Sequence, residues 1–377
     1  MNENADYTVT KHHAMGRLAF ELAYLLPDQK TAYLSDDGTN VGLYMFVADH
    51  KMDLSAGTLY AARWNQTDGG SATLDWINLG HATNDEIKSL INQGITFSDM
   101  FDKVEPIYGK CPPGFTSINA GHQKDKYGHY HQCLKLKPGM EKAASRLETR
   151  RYAAMKGATT ELRKEEGITF NPVTNTLYVA ISEIARGMED YKKNGAMNDE
   201  YDIGGPNHIK LPYNRCGGVY ALDLETDKDI GSDYVAKNMY ALVMGRMTQA
   251  YDSNSPIPPY EGPFANNKCD LERLANPDNI SFISDYNTLI IGEDTGSGHQ
   301  NDMIWSYNLK TKELTRIQTT PYGSETTSPY IYKDINGFGY LMTVVQHPFA
   351  ESDAAHLNNA DEAFAYTGYI GPFPALK

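Results

Sequence analysis

Residues 276–295 read NPDNISFISDYNTLIIGEDT. Asp278 and Asn279 precede a short apolar run. Asp285-Tyr286-Asn287 supplies a turn, and a second β-rich run, Leu289 to Ile291, ends on Glu293 and Asp294. Two such runs around a polar turn predict strand, tight turn, strand. A hairpin brings its outer ends together, so Asp278 is expected beside Glu293 and Asp294.

The same unit recurs. Residues 165–183 read EEGITFNPVTNTLYVAISE, with Glu166 before the first run, Asn171-Pro172 at the turn and Glu183 at the end. Residues 20–37 read FELAYLLPDQKTAYLSDD, with Glu21 at the start and Asp36-Asp37 at the end. A looser copy, ETTSPYIYKDINGFGYLMTVVQHP at 325–348, opens on Glu325 and closes on Gln346-His347. The acid-to-acid spacing is 15–16 residues in the first unit, 17 in the second and 15–16 in the one at Asp278.

Composition bounds the class. The 377 residues allow one large domain or two ordinary ones. Tyr is abundant, at 26 copies, and this favours strands over helices. The net charge of −14 argues against a nucleic-acid partner, which needs Lys/Arg patches. By itself it reads as a solubility device. No run of 18 apolar residues is present, so no membrane span is expected. The first 16 residues are polar and lack an apolar signal core, and a strand unit begins almost at once. Further sequence upstream is therefore expected. Cys111, Cys133, Cys216 and Cys269 form no CxxC pair. They suit two disulfides, Cys111 with Cys133 and Cys216 with Cys269, or four buried thiols.

Further strands are expected at 42–49, 57–64, 73–79, 217–224, 241–247 and 303–309, so strands dominate the chain. Four antiparallel strands repeated around an axis make a β-propeller. The fold class is thus all-β, a propeller of about four to six blades in a single domain over 1–377, whose circle need not be complete. Residues 82–160 break the pattern and read as a partly helical insertion, with Asn84 as a helix N-cap. Residues 105–140 within it look irregular, and His122, His129 and His131 there read as solvent-exposed. Residues 350–377 read as a loose tail.

In a propeller, equivalent positions of successive blades converge on one channel. Carboxylates gathered there cannot all stay ionised without cations. Oxygen-only clusters suit hard cations, above all calcium; iron or manganese is the next choice. The candidate ligands are Glu21, Asp36, Asp37, Glu166, Asp278, Asn279, Glu293, Asp294 and Glu325. Arg17, Arg163 and Lys164 flank these acids and would suit an anionic substrate. His347 reads as a ligand, a proton carrier or a satisfied strand-end histidine. No GxSxG elbow, Walker loop or dinucleotide fingerprint is present. GEDTGSG at 292–298 looks like a phosphate loop, but its two acids would repel phosphate. The catalytic side chain stays unassigned, and a nucleophile would come from metal-bound water or oxide.

The order of Gly16-Arg17…Glu21, Tyr33-Leu34-Ser35-Asp36-Asp37, Asp53-Leu54-Ser55-Ala56-Gly57-Thr58-Leu59-Tyr60, Glu166-Gly167-Ile168, Pro277-Asp278-Asn279, Glu293-Asp294 and Gln346-His347-Pro348 resembles the PhoX-type alkaline phosphatases. The resemblance runs with gaps over about residues 16–349. It implies a β-propeller, calcium and iron among acidic ligands, hydrolysis of small phosphate esters, and export to the periplasm or beyond. It marks Glu21, Glu166, Asp278, Asn279 and Asp294 most strongly. The family carries a long segment before its Gly-Arg…Glu stretch, holding a cysteine ligand to iron, and this chain starts after that point. Two alternatives remain at this stage. One is a calcium-dependent lactonase, which Glu-Gly-Ile and Pro-Asp-Asn also resemble. The other is a non-catalytic, calcium-stabilised propeller that binds a partner.

Overall fold

The computed structural model describes residues 9–121, 123–349 and 357–376. The fold is an all-β propeller in which each repeated hairpin forms the inner edge of a blade. Blade one runs Ala23–Leu25, Thr31–Leu34, Tyr44–His50, Asp53–Gln66. Blade two runs Glu165–Asn171, Thr176–Ile181, Gly218–Asp227, Asn238–Met244. Blade three runs Pro277–Ile283, Thr288–Glu293, Asn301–Asn308, Leu314–Tyr322. Among the described residues blade four has three strands, Glu325–Ile335, Phe338–Gln346 and Tyr366–Pro374. A further strand, Ala72–Thr83, extends blade one and touches blade two through Asn238↔Thr73 and Met239↔Ala72.

The turns explain the hairpins. In blade three a single helical turn, Ser284–Tyr286, ends on Asn287 at φ 49°, and Ile283 pairs with Thr288. Asn175 takes φ 52° at the matching place in blade two, and Asn336 φ 54° in blade four. Asparagine tolerates this left-handed region because its short side chain bonds locally.

Apolar side chains pack between successive blades. Tyr33, Leu177 and Tyr220 fill the space between blades one and two; Tyr178, Ile291 and Trp305 fill that between two and three. The inner strands approach closely. A Cβ on Gly167 would lie 2.2 Å from the carbonyl oxygen of Asp278. Gly167→Ala is therefore expected to cost about 1–3 kcal/mol, the usual range for overpacking. Chemical denaturation measures this, and an unchanged midpoint would show that the blades do not meet here.

Residues 84–155 lie between blades one and two in sequence. They form helices Asn84–Asn92, Phe97–Met100, Glu141–Leu147 and Thr149–Met155, with a small sheet of Phe101–Val104, His131–Leu136 and Thr116–Asn119. The stretch expected to be irregular therefore holds strands. The N-cap of the first helix is Thr83, in a capping box with Glu86, rather than Asn84. Asn84 instead accepts a hydrogen bond from the Ala14 amide at 2.9 Å.

Both cysteine pairs are joined, Cys111 to Cys133 and Cys216 to Cys269. The first pair closes over His131, which is buried and bonds Ser117 Oγ at 2.8 Å, contrary to its expected exposure. His129 is half-buried, between Asp125 and Asp199. His122 lies outside the described residues. Part of the expected loose tail is ordered, since Tyr366–Pro374 pairs along Phe338–Gln346. Its Gly and Pro content hid a strand that needs only one neighbour.

Candidate metal centre

The two acids of each doublet meet different surroundings. Asp36 turns inward, where Arg150 binds its carboxylate through Nε at 2.8 Å and NH2 at 2.5 Å. Glu293 is likewise buried inside blade three. Its oxygens accept from the Ala275 and Met303 amides, the Trp305 indole at 2.7 Å and His299 Nδ1 at 2.9 Å. Both carboxylates are fully engaged away from the channel. They were expected as ligands, and in the structure these partners take them up instead.

Their partners Asp37 and Asp294 join Glu21, Glu166, Asp278 and Glu325 in one cluster drawn from all four repeated units. Lys164 stands in the middle, with Nζ 2.8 Å from Glu166 Oε1 and 2.9 Å from Asp294 Oδ2. Asp278 and Glu166 are almost completely buried, at 3 % and 5 % exposure. Burial first, then the charges of Glu166, Glu325 and Asp294, pushes Asp278 up to about 10. Burial likewise pushes Glu166 up to about 8, against the opposing pull of Lys164. Glu21 is raised by burial and by Asp37, Glu325 and Asp294. Glu166 and Asp294 hold Lys164 firmly protonated. Asn279 donates to Asp278 Oδ1 at 2.8 Å and accepts from the Ser328 amide, so it links blades three and four beside the cluster.

Ser182 also belongs here, since its hydroxyl donates to the Glu166 carboxylate. The sequence held a signal for it. Glu21 to Asp37, Glu166 to Ser182 and Asp278 to Asp294 are each a step of 16 residues. Glu183, the acid one place later, is held by Arg163 at 2.5 Å instead. In the fourth unit the hairpin is longer. There Gln346 Nε2 and His347 Nε2 each lie 2.9 Å from Glu325 Oε2.

The three expected anion-binding cations separate. Lys164 is the counter-ion of the cluster. Arg163 is engaged by Glu183, by Thr39 Oγ1 at 2.6 Å and by Gly38 O at 3.2 Å. Arg17 is the open one. Among the described residues its guanidinium makes no ion pair and only a 3.5 Å contact to Leu147 O. It lines a cavity of about 340 Å³ shared with Asp37, Arg150 and Arg151.

The donor set fits hard cations. Six carboxylates face one ammonium, and Asp37 Oδ1 is buried without a hydrogen-bond partner. No three of the acids draw within 4.8 Å of one another; among the described residues only Cys111, His131 and Cys133 do, and two of those are disulfide-bonded.

A family model described as alkaline phosphatase PhoX matches residues 2–348. The chain belongs to the PhoX family. Among solved structures, it is similar to Pseudomonas fluorescens PhoX in complex with vanadate, a transition state analogue. The TM-score is 0.57 at 19% identity, covering 95% of this chain and 54% of that one. The chain thus spans about half the length of that PhoX, and the likeness is one of fold. A luciferin-regenerating enzyme also aligns, at TM-score 0.28 and 11% identity over 97% of this chain and 96% of the other. No curated protein matches. Among the described residues, no helix is long and apolar enough to cross a membrane.

Proposed function

We propose that this PhoX-family chain is a metal-dependent hydrolase of phosphate monoesters. The observation that carries the reading is the convergence of six carboxylates from four repeated units, with Asp278 and Glu166 nearly without exposure. Glu21, Asp37, Glu166, Asp278, Asn279, Asp294 and Glu325 would hold the cations. Their all-oxygen chemistry favours calcium. Iron, implied by the family, finds no thiolate among the four cysteines, which are all disulfide-bonded. Bound there, the metal supplies positive charge to the phosphoryl oxygens and acidifies water.

The chain's own residues do the rest. Lys164 fixes the positions of Glu166 and Asp294 and lowers the charge they present. Arg17 faces the cavity beside Asp37, where its planar fork suits two oxygens of an incoming phosphate. Ser182 orients Glu166, and Gln346 and His347 orient Glu325. The two disulfides suit an oxidising compartment, in keeping with an exported protein.

Release of phosphate from an aryl phosphate, with calcium and then with a chelator, tests the reading. Turnover that chelation leaves intact would sink it. Lactone hydrolysis without phosphate release would point to the lactonase alternative. Ser182→Ala is expected to lower kcat/KM by about 10- to 100-fold, the worth of a hydrogen bond to a charged group, whereas Glu183→Ala leaves calcium dependence unchanged. Equal effects of the two would contradict the 16-residue register.

A further inference from the structure

The loop that follows Asp294 builds a second, cationic place. Thr295, Gly296 and Ser297 line a cavity of about 190 Å³ together with Asn266, Lys268 and Gln300. No aspartate or glutamate lines it, in a chain of net charge −14. Arg215 reaches the same loop, and its NH2 donates to Ser297 Oγ at 2.7 Å. Arg215 Nε is buried without a hydrogen-bond partner. The Arg215 guanidinium and the Lys268 ammonium lie over the same Tyr251 ring, 5.2 and 5.7 Å from its centroid. Neither cation makes an ion pair among the described residues.

Two like charges beside one ring without a counter-ion oppose each other, and an anion bound by both removes that cost. Burial and the Arg215 charge both lower the Lys268 ammonium, the expected sign of an uncompensated pair. A tyrosine face offsets only part of this, about 0.5–2 kcal/mol per cation. The place is also near the acid cluster. Ser297 follows Asp294 by three residues, so their Cα atoms lie at most about 11 Å apart. The Asn276 amide joins the two regions as well. It donates to Ser182 O at 2.8 Å and Arg215 O at 3.0 Å, and Ser182 is the residue that bonds Glu166.

We propose that Arg215, Lys268 and Ser297 form a second anion subsite that takes the distal phosphate of an organic bisphosphate whose scissile phosphate lies at the acid cluster. The substrate class rests on the phosphatase reading above; the anion subsite itself does not. Arg215 supplies a planar fork, Lys268 a mobile point charge and Ser297 a hydroxyl, a combination suited to a tetrahedral oxyanion. Both acids of GEDTGSG, which argued against phosphate, are already engaged, Glu293 in part by His299 at the wall of this cavity. Glu293 is buried inside the blade and Asp294 is bound by Lys164.

The experiment compares an alkanediol bisphosphate with the matching monophosphate in the wild type, Lys268→Gln, Lys268→Arg and Arg215→Gln. The wild type is expected to prefer the bisphosphate. Lys268→Gln and Arg215→Gln are expected to lower the bisphosphate-to-monophosphate ratio of kcat/KM by about 10- to 100-fold, as for loss of a charge-assisted hydrogen bond. Lys268→Arg should largely restore it. An unchanged ratio overturns the subsite. Calorimetric binding of inorganic phosphate to chelator-treated protein gives a readout free of turnover. Affinity weakened in Lys268→Gln supports the subsite even if neither ester is hydrolysed, a result that would sink only the phosphatase reading. Affinity equal to wild type overturns it. If Arg215→Gln fails to fold, the two Lys268 variants decide.

Discussion

Asp278→Asn is expected to lower turnover of an aryl phosphate by about 10²–10³-fold, the loss seen when one preorganised electrostatic group is removed, and to abolish any rise in Tm on adding calcium. Burial pushes Asp278 up to about 10, and the charges of Glu166, Glu325 and Asp294 add to it. It therefore lies within reach of three other acids. Removing its charge relieves repulsion, so the metal-free variant should be as stable as the wild type or more so. Asp36→Asn supplies the contrast. That side chain is fully buried against Arg150, and breaking one half of a buried pair costs about 3–5 kcal/mol. One variant would thus lose function and keep its fold, whereas the other would lose stability. Full turnover in Asp278→Asn, with its calcium response intact, would remove the acid cluster from the mechanism.

The second large effect is on pH dependence. Glu166 and Asp278 are raised from 4.5 and 3.8 to about 8 and about 10. The fold favours their protonated forms, so their stabilising contribution is complete below about pH 4. It declines as pH rises through about 8 for Glu166 and about 10 for Asp278. Glu161 and Asp202, buried elsewhere and each pushed up to about 7, add the same sign. Chelator-treated protein should accordingly lose several degrees of Tm between pH 5 and pH 9. Calcium favours the ionised cluster and competes with protons, so the Tm rise it produces should grow over the same range. Asp278→Asn should abolish that growth while leaving the part of the metal-free decline due to Glu161 and Asp202. A calcium response that shrinks toward pH 9 would contradict the assignment.

Much of this molecule was legible in the residues. The turn asparagines, the strand periodicity and the spacing of acids across hairpins are local features, and they gave the blades and the axis on which their ends meet. They also named Glu21, Asp37, Glu166, Asp278, Asp294 and Glu325 within a larger candidate set that included Asp36, Asn279 and Glu293. What they could not give was the face. Asp36 and Asp37 are chemically alike, as are Glu293 and Asp294, yet one member of each pair lies in the channel and the other in the protein interior.

Lys164, Ser182 and Arg150 show the same limit from the other side. Arg150 lies 114 residues from the Asp36 it neutralises, and the Lys164 ammonium bridges to an acid 130 residues away. Local pattern thus determined the strand units, the class of fold and the identity of the converging acids, because turn chemistry and strand period act over a few residues. Only the tertiary structure decided which acid of a doublet reaches the channel, which cation is engaged and which is open, and where an anion finds two charges without a partner. Those outcomes depend on the register and packing of strands far apart in the chain, and a shift of one residue reverses every side chain.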